Sequence, residues 1–581
     1  MCGIFIVINK NLEPINIKKS VNSLNLMKGR GPDWCFYKLF GKNIFFGQVV
    51  LSMTGKLKKK ISDFCSISSR YFIVFNGEIY NYKNIYKNYF EKNFNENVTD
   101  TRVLLNLFEI KKIEKINNLL DGMYVYVVFD KKNKNLIISS DPQGEKRLYI
   151  YEDKKTIILS SEINSILHYT NDKEIDPNML KNYFYTRHFI NFNNTLFKKI
   201  RILESGILKT LCLNKFIFKN LQSITIHNYI NENLYNKNNN RNESDIEDEL
   251  DFLIKKNLTE MIPNGRNFAS IASGGIDSTL VSKYLIDIKK PNYLIFLNHV
   301  GKDNLSSSIS NFEEYLGKIL VKKIDQKLYK KFLIESIKIC TSPIFSHDFV
   351  GKLILSKTVK ELNCKAVFGG DGADELFGGY HTYLKDNLNS KENISDYSKL
   401  LNVTFLDKDK SYFIFKKKLD AHWKKCLESY SFIKDKFEKN KLAMMLMDSS
   451  LQLPCVALRG SDLMTTNHSV ETRSLFLRKE IIQFALNLPL KYKINKNKKL
   501  FSTKFLLKKL FKKKFSEKLI YPKQGFSGFP NEMGGVLGDH KKYMIKDFFK
   551  IENFDKVIKL SDRATLWKIY NTEFFLRKFF N

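Results

Sequence analysis

The stretch from Phe268 to Ser278 leaves this chain few folding options. A short apolar run, Phe268 to Ala272, passes directly into Ser273-Gly274-Gly275-Ile276-Asp277-Ser278, and from Val281 onward the pattern is helical. A strand that turns into a helix through glycines must lay that helix across a sheet, so the neighbouring strands run parallel. Tyr293 to Leu297 and Lys365 to Phe368 read as two further strands of the same sheet. The glycines admit a phosphate close to the backbone, and the first helical turn offers N–H groups without intrahelical partners. A carboxylate in such an anion-binding turn calls for a cation, so Asp277 implies Mg²⁺. The run lacks the Gly-Lys-Ser/Thr of a Walker loop and has the pattern of a pyrophosphate loop. Ala272, Ser273, Gly274, Gly275, Asp277 and Ser278 are its expected nucleotide-binding residues.

A chain of 581 residues needs more than one core, at about 150 residues for each domain. The first 200 or so residues read as short strands rich in β-branched and aromatic residues: Gly3 to Asn9, Ile44 to Val50, Tyr71 to Asn76, Met123 to Asp130, Leu136 to Ser140 and Thr156 to Ser160. With helices near Ile17 to Met27 and Thr101 to Ile110, they predict two sheets with helices packed outside. The polar tract Asn231 to Glu243 reads as a linker, which divides the chain into 2–215, a linker at 216–245, and 246–581. Ser244 and Glu247 form a capping-box pattern, opening a helix with Leu250, Leu253, Ile254, Leu258 and Met261 on one face. Beyond Tyr380 the chain reads mostly helical.

Cys2 follows the initiator Met1, and a small second residue permits removal of that methionine. A thiol and a free α-amine on one residue then make a nucleophile and its base, because the amine titrates at about 7.7–8.0. Arg30-Gly31-Pro32-Asp33 is a rigid basic turn. Asn76-Gly77-Glu78-Ile79-Tyr80-Asn81 ends a strand, where an Asn amide and a Gly N–H can form an oxyanion hole. Asp100 adds a carboxylate able to hold an ammonium group. Met-Cys-Gly-Ile, Arg-Gly-Pro-Asp and Asn-Gly-Glu-Ile-Tyr-Asn in this order resemble the class II glutamine amidotransferase domain, an N-terminal-nucleophile hydrolase. The resemblance implies an α+β αββα sandwich in which Cys2 attacks the glutamine amide. It also implies that Asn76 and Gly77 hold the oxyanion while Glu78 and Asp100 hold the substrate amine. Two positions depart from the family pattern. Val50 stands where an Arg clamps the glutamine carboxylate, leaving Arg30 as a stand-in, and Ser140 to Tyr149 keeps the family's turn without its Arg and Pro.

Gly369-Gly370-Asp371-Gly372-Ala373-Asp374-Glu375-Leu376-Phe377-Gly378-Gly379-Tyr380 follows the third strand of the parallel sheet. Its three acids among five glycines repel one another without a metal or a cationic substrate. Together with the pyrophosphate loop and the N-terminal domain, it resembles the glutamine-dependent asparagine synthetases and their relatives. The resemblance implies an α/β synthetase domain with a helical C-terminal part. Asp374 joins Asp277 on Mg²⁺, Gly369 and Gly370 lie beside the nucleotide, and Asp371 faces the reacting acyl group, where the family commonly has Glu. The likeness continues through Ser469 to Leu477, with Leu475 for Pro and then Arg478 for Asp. Lys504 matches the pyrophosphate-binding lysine, and Lys523-Gln524-Gly525-Phe526 matches a family segment.

The expected reaction is therefore ATP-dependent transfer of glutamine nitrogen to a carboxylate. Aspartate is the commonest acceptor of this architecture, and a sugar uronic acid is the alternative. Asp371, the run Leu458 to Met464 and the segment Phe526 to Pro530 lean towards the uronate. Lys+Arg 96 against Asp+Glu 61 leaves a net +35, which raises RNA binding or tRNA modification as a reading of another class. The lysines are spread along the whole chain, so compositional drift is preferred and nucleic acid is not an expected partner. The eight cysteines show neither CxxC nor paired Cys/His spacing. No apolar run reaches the length of about 18 residues that a membrane span needs. A cytoplasmic enzyme of small-molecule substrates is expected, with a homodimer admitted.

Overall fold

The computed structural model describes residues 2–55, 68–91, 98–186, 190–299, 306–344, 346–385, 406, 409–495, 502–521, 537 and 539–580. Within the strand Cys2–Asn9, Cys2, Ile4, Ile6 and Ile8 face one way while Phe5 and Val7 face the other, the alternation of a strand buried on both sides. It lies third in a six-stranded antiparallel sheet, ordered Trp34–Phe40, Ile44–Val50, Cys2–Asn9, Thr156–Ser160, Tyr149–Glu152, Ile200–Ile202. A second antiparallel sheet of five strands runs Ile217–Ser223, Ile207–Cys212, Asn135–Ser140, Gly122–Asp130, Tyr71–Ile79. The inner faces meet in one core, where Ile4, Ile6 and Phe46 pack with Phe72, Val74, Val127 and Phe129. Helices Ile17–Asn25 and Ile163–Thr170 cover the outside of the first sheet, and Asp100–Ile110 covers the second. This is the αββα sandwich expected of an N-terminal-nucleophile hydrolase.

The strands that sequence reading passed over include two sheet edges. Trp34–Phe40 and Ile217–Ser223 are half in water, and the second is polar at Lys219, Asn220 and Gln222, so neither shows a clean apolar alternation.

The tract read as a linker is ordered structure. Ile217–Ser223 belongs to the second sheet, Ile226–Tyr229 is a 3₁₀ turn, and Glu232–Asn239 is an α-helix capped by Asn231, whose side chain accepts from Leu234 N at 3.0 Å. Asn487 ties this segment down: its Oδ1 accepts from Asn231 N at 2.7 Å, and its Nδ2 donates to the Tyr229 carbonyl at 2.9 Å. The asparagines that looked like solvated linker thus serve as caps and as bonds to backbone. The following helix, Glu243–Met261, starts after Asn242 rather than at a Ser244 cap, and Glu247 pairs with Lys513 at 2.8 Å instead of closing a capping box.

In the second half a parallel sheet runs Leu320–Ile324, Tyr293–His299, Phe268–Ile271, Ala366–Gly369, Glu471–Ser474. Its strand order reverses between Phe268–Ile271 and Ala366–Gly369. The carboxyl ends of those two strands open the crevice where open α/β sheets bind ligands. The Ser273–Ser278 turn and the Gly369–Asp374 loop both start there. The remainder is mainly helical, and it includes a rare run of π-helical turns from Asp448 to Thr465.

Buried charge joins the halves. Arg478, which replaces a family Asp, donates to Asp121 of the first half at 2.7 Å and to Glu260 at 2.7 Å. Arg147, which replaces a family Pro, donates to the Pro454 carbonyl. Removing one member of a buried pair strands its partner. Arg478→Ala is therefore expected to lower the unfolding free energy by about 3 kcal/mol, read as an earlier denaturant midpoint, with Asp121→Asn giving a smaller loss.

Candidate active sites

The first site opens at Cys2, the first residue of its strand. The pocket is lined by Cys2, Gln48, Val50, Gly77, Glu78 and Asp100 among others. Cys2 N donates to Asn76 Oδ1 at 3.0 Å, which fixes the amide so that its Nδ2 is the remaining donor, buried with no hydrogen-bond partner among the described residues. Gly77 has a φ of 144°, and a Cβ there would run into the Met123 carbonyl, so only glycine lets the strand bend its backbone past Asn76. Burial pushes the Cys2 thiol above its ordinary range, against the pull of the chain's N-terminal charge, the Leu51 N–H and Gln48. Asn76 and Gly77 are thus brought to Cys2, the arrangement an oxyanion hole requires.

Asp100 stands at the first residue of its helix, capped by Thr99. Its carboxylate accepts from Thr101 N at 2.8 Å, Thr54 Oγ1 at 3.1 Å and Ile79 N at 3.2 Å. Burial raises its pKa to about 6 despite these donors. Glu78, expected beside it on the substrate amine, instead meets Arg473 of the second half. Arg473 is shared with Glu471 at 2.9 Å, which it holds down at about 2 against the cost of burial, while burial pushes Glu78 well up.

Arg30 does not reach the pocket. Its Nε donates to the Cys2 carbonyl at 3.0 Å, and its guanidinium pairs with Asp462 at 2.9 Å and Glu162 at 3.4 Å. The rest of that turn is structural as well. A Cβ on Gly31 would strike the Val50 backbone, and Asp33 accepts from Ser52 N at 2.8 Å and Lys365 Nζ at 2.7 Å. Val50 lies buried in the pocket wall. A different guanidinium touches that wall: half-buried Arg266, with long contacts to the Ser52 carbonyl at 3.4 Å and the Gly55 carbonyl at 3.5 Å. Sequence reading offered no signal for it, because it precedes a strand of the other half.

The second site lies at the reversal of strand order. Gly274 takes a φ of 74°, and Gly275 caps the helix Ile276–Ile288. Ser273 and Ser278 hydroxyls meet at 2.7 Å across the turn, and Ala272 N bonds the Ile295 carbonyl at 2.9 Å. Gly370 lies so near Asp277 that a Cβ would come within 2.7 Å of the Asp277 Cβ, while Gly369 ends its strand beside Ile271. Lys504 Nζ lies 2.5 Å from Asp277 Oδ2 and 2.7 Å from Asp374 Oδ1. Burial works against its charge, but the two carboxylates prevail and raise its pKa. A side chain at Gly379 would collide with both Asp374 and Lys504, so that glycine is a condition of the pair meeting.

Asp371 is held rather than free. Ser461 Oγ donates to its Oδ2 at 2.7 Å and Lys352 Nζ at 3.0 Å, and Lys352 also reaches the Ala457 carbonyl at 2.9 Å. Lys352 was not singled out from sequence, since one lysine on a helix carries no signal in a lysine-rich chain. The segment Lys523 to Phe526, and with it Phe526 to Pro530, lies outside the described residues.

A glutamine amidotransferase joined to an ATP-using synthetase is the class that this sandwich and this parallel sheet define. Residues 1–220 match the family model for a glutamine amidotransferase domain, and residues 264–572 match that for asparagine synthase. The second match spans more than half of the sequence, and the chain belongs to the asparagine synthase family. A Methanocaldococcus jannaschii protein, provisionally named glutamine-hydrolysing asparagine synthetase 1, is 24% identical over 85% of this chain and 82% of its own length. Glutamine-hydrolysing asparagine synthetase 1 of Bacillus subtilis is 26% identical over 66% of this chain and 59% of its own. A second Methanocaldococcus jannaschii relative, also provisionally named, is 27% identical over 66% of this chain and 76% of its own. The protein is an ATP-dependent amidotransferase ligase.

The raised Asp100 sets a pH dependence for the first site. Above about 6 it is anionic and can hold an ammonium group, and below that it is neutral. The kcat/KM for glutamine is expected to fall about tenfold for each pH unit below that point. Synthesis from free ammonia, plotted against the free-base concentration, should lack that limb.

Proposed function

We propose that the chain is a glutamine-dependent asparagine synthetase. The observation that carries this reading is Lys504, whose ammonium bridges Asp277 and Asp374 at the mouth of two glycine loops. A cation fixed at that crevice stabilises a departing pyrophosphate, which ATP releases when a carboxylate is adenylated. The hard carboxylate oxygens of Asp277 and Asp374 fit Mg²⁺, and the glycines at 370 and 379 leave room for the two loops to converge. When bound, the ion neutralises phosphate charge. Ser273, Gly274 and Gly275 offer the backbone and hydroxyl donors for the phosphates, and Asp371, oriented by Lys352 and Ser461, stands where the acyl group reacts.

In the first half the Cys2 thiolate adds to the side-chain amide of glutamine. The α-amine of Cys2, freed by removal of Met1, takes the thiol proton. Asn76 Nδ2 and Gly77 N–H receive the oxyanion, and the amine returns the proton to the amide nitrogen, which leaves as ammonia while the thioester forms. Water then releases glutamate. Asp100 rather than Glu78 holds the substrate ammonium, because Glu78 is occupied by Arg473. The glutamine carboxylate, denied an arginine at Val50, is met by Arg266. Ammonia crosses to the acyl-adenylate and displaces AMP. The names of the relatives support aspartate as the acceptor. A uronic acid is the second reading, favoured by the short side chain of Asp371. No helix among the described residues is long and apolar enough to cross a membrane. A cytoplasmic location, homodimerisation and the absence of a nucleic-acid partner go with this reading.

Pyrophosphate release tests the acceptor: aspartate with ATP and Mg²⁺ should trigger it, and a panel of uronates should not. Release driven only by a uronate would replace asparagine synthesis with the second reading. Cys2→Ala should abolish the use of glutamine while free ammonia still supports product formation. Arg266→Ala should raise KM for glutamine about tenfold with kcat nearly unchanged, the pattern of lost ground-state binding.

A further inference from the structure

Away from both active sites, the stretch that joins the halves meets the C-terminal helices in a cluster of donors. His227 lies in the 3₁₀ turn Ile226–Tyr229, and His422 and Cys426 lie one turn apart on a single face of the helix Lys410–Ser429. One ligand atom from each lies within 4.8 Å of the other two. The rings stand edge to face at 5.8 Å. Each imidazole has one nitrogen held by a serine: His227 Nδ1 meets Ser429 Oγ at 2.9 Å, and His422 Nε2 meets Ser450 Oγ at 2.8 Å. His227 Nε2 is buried and has no partner among the described residues. None of the three side chains has a part in glutamine hydrolysis or adenylation.

We propose that His227, His422 and Cys426 form a binding site for a zinc-like divalent transition ion, which staples the connecting segment to the helical part of the synthetase half. The donor set is two imidazoles and one thiolate, the borderline ligands that zinc takes and that Mg²⁺ does not. A tetrahedral zinc site, with bonds of about 2.0–2.3 Å, places its ligand atoms about 3.5 Å apart, so the cluster closes by about 1 Å on binding. The serine hydroxyls fix one nitrogen of each ring and leave the other to the metal, which is how outer partners orient metal-bound histidines. Burial, aided by the charge of Lys425, lowers both imidazoles, to about 3 for His227 and about 4 for His422, so both are in the neutral form that ligates. The buried Cys426 thiol is pushed up to about 12 in the metal-free chain. Forming the metal–sulfur bond releases its proton to solvent. Water completes the four ligands. Lys425 opposes the cation, while Asp448 favours it.

The test uses the full chain, stripped with a chelator and returned to buffer containing a small excess of zinc and millimolar Mg²⁺. About one zinc per chain should survive gel filtration and appear by elemental analysis, with a rise in thermal midpoint. Cobalt in its place should give a thiolate-to-metal charge-transfer band in the near ultraviolet. Cys426→Ser should lose that band, and His227→Asn or His422→Asn should weaken zinc at least tenfold, while each variant still hydrolyses glutamine. A wild-type chain that retains no zinc overturns the proposal. So does zinc held equally well by the variants, which would place it elsewhere, or a cobalt spectrum without the thiolate band.

Discussion

Arg473 is the interaction on which the two halves depend. Its guanidinium is buried between Glu78, near the end of the strand Tyr71–Ile79 of the first half, and Glu471 on its own strand of the parallel sheet. A buried arginine is tolerable only where carboxylates and carbonyls surround it, so the halves have one registration that satisfies it. An apolar seam could slide, whereas this one cannot without leaving charge unpaired. The same strand bonds to Ala366–Gly369 in parallel register, Phe368 opposite Arg473, and Gly369 leads into the Asp371 loop. The wall of the pocket beside Cys2 and the acidic loop of the second half are therefore held by one side chain and one strand pair.

A second physical connection runs through Arg30. It holds the Cys2 carbonyl and reaches Asp462, whose neighbour Ser461 donates to Asp371. Cys2 and Asp371 are thus braced from adjacent residues of one π-helical turn. Such turns widen the helix and turn successive side chains to unusual directions, which is how Ser461 and Asp462 serve different halves.

The departures from the family pattern fall mainly along this seam. Arg147 and Arg478 look like losses when compared with the expected Pro and Asp, yet both make contacts between halves. The residues proposed to carry the chemistry, Cys2, Asn76, Gly77, Asp100, Asp277, Asp374 and Lys504, are grouped in two places. Val50 and Asp371 are the departures that fall at the proposed substrate sites, and the wall beside Val50 carries Arg266.

The alternation in Cys2–Asn9, the apolar runs of the inner strands and the strand–glycine–helix unit at Phe268–Ser278 were legible in the sequence, because local periodicity and turn chemistry encode them. So were the residues proposed as nucleophile and oxyanion donors, and the two acidic motifs, whose residue types and spacing stand out in any setting. The roles of Arg30, Glu78, Lys352 and Arg266 were not. Each is a charged side chain whose partner lies in the other half or far along the chain, and nothing local distinguishes a charge bound for a substrate from one bound for a buried carboxylate. The asparagine-rich tract was misread for the same reason, since a capping Asn and a solvated one differ only in what the folded chain brings to them. Local pattern thus determined which chemistry the protein holds, and tertiary packing decided which charges are free to perform it.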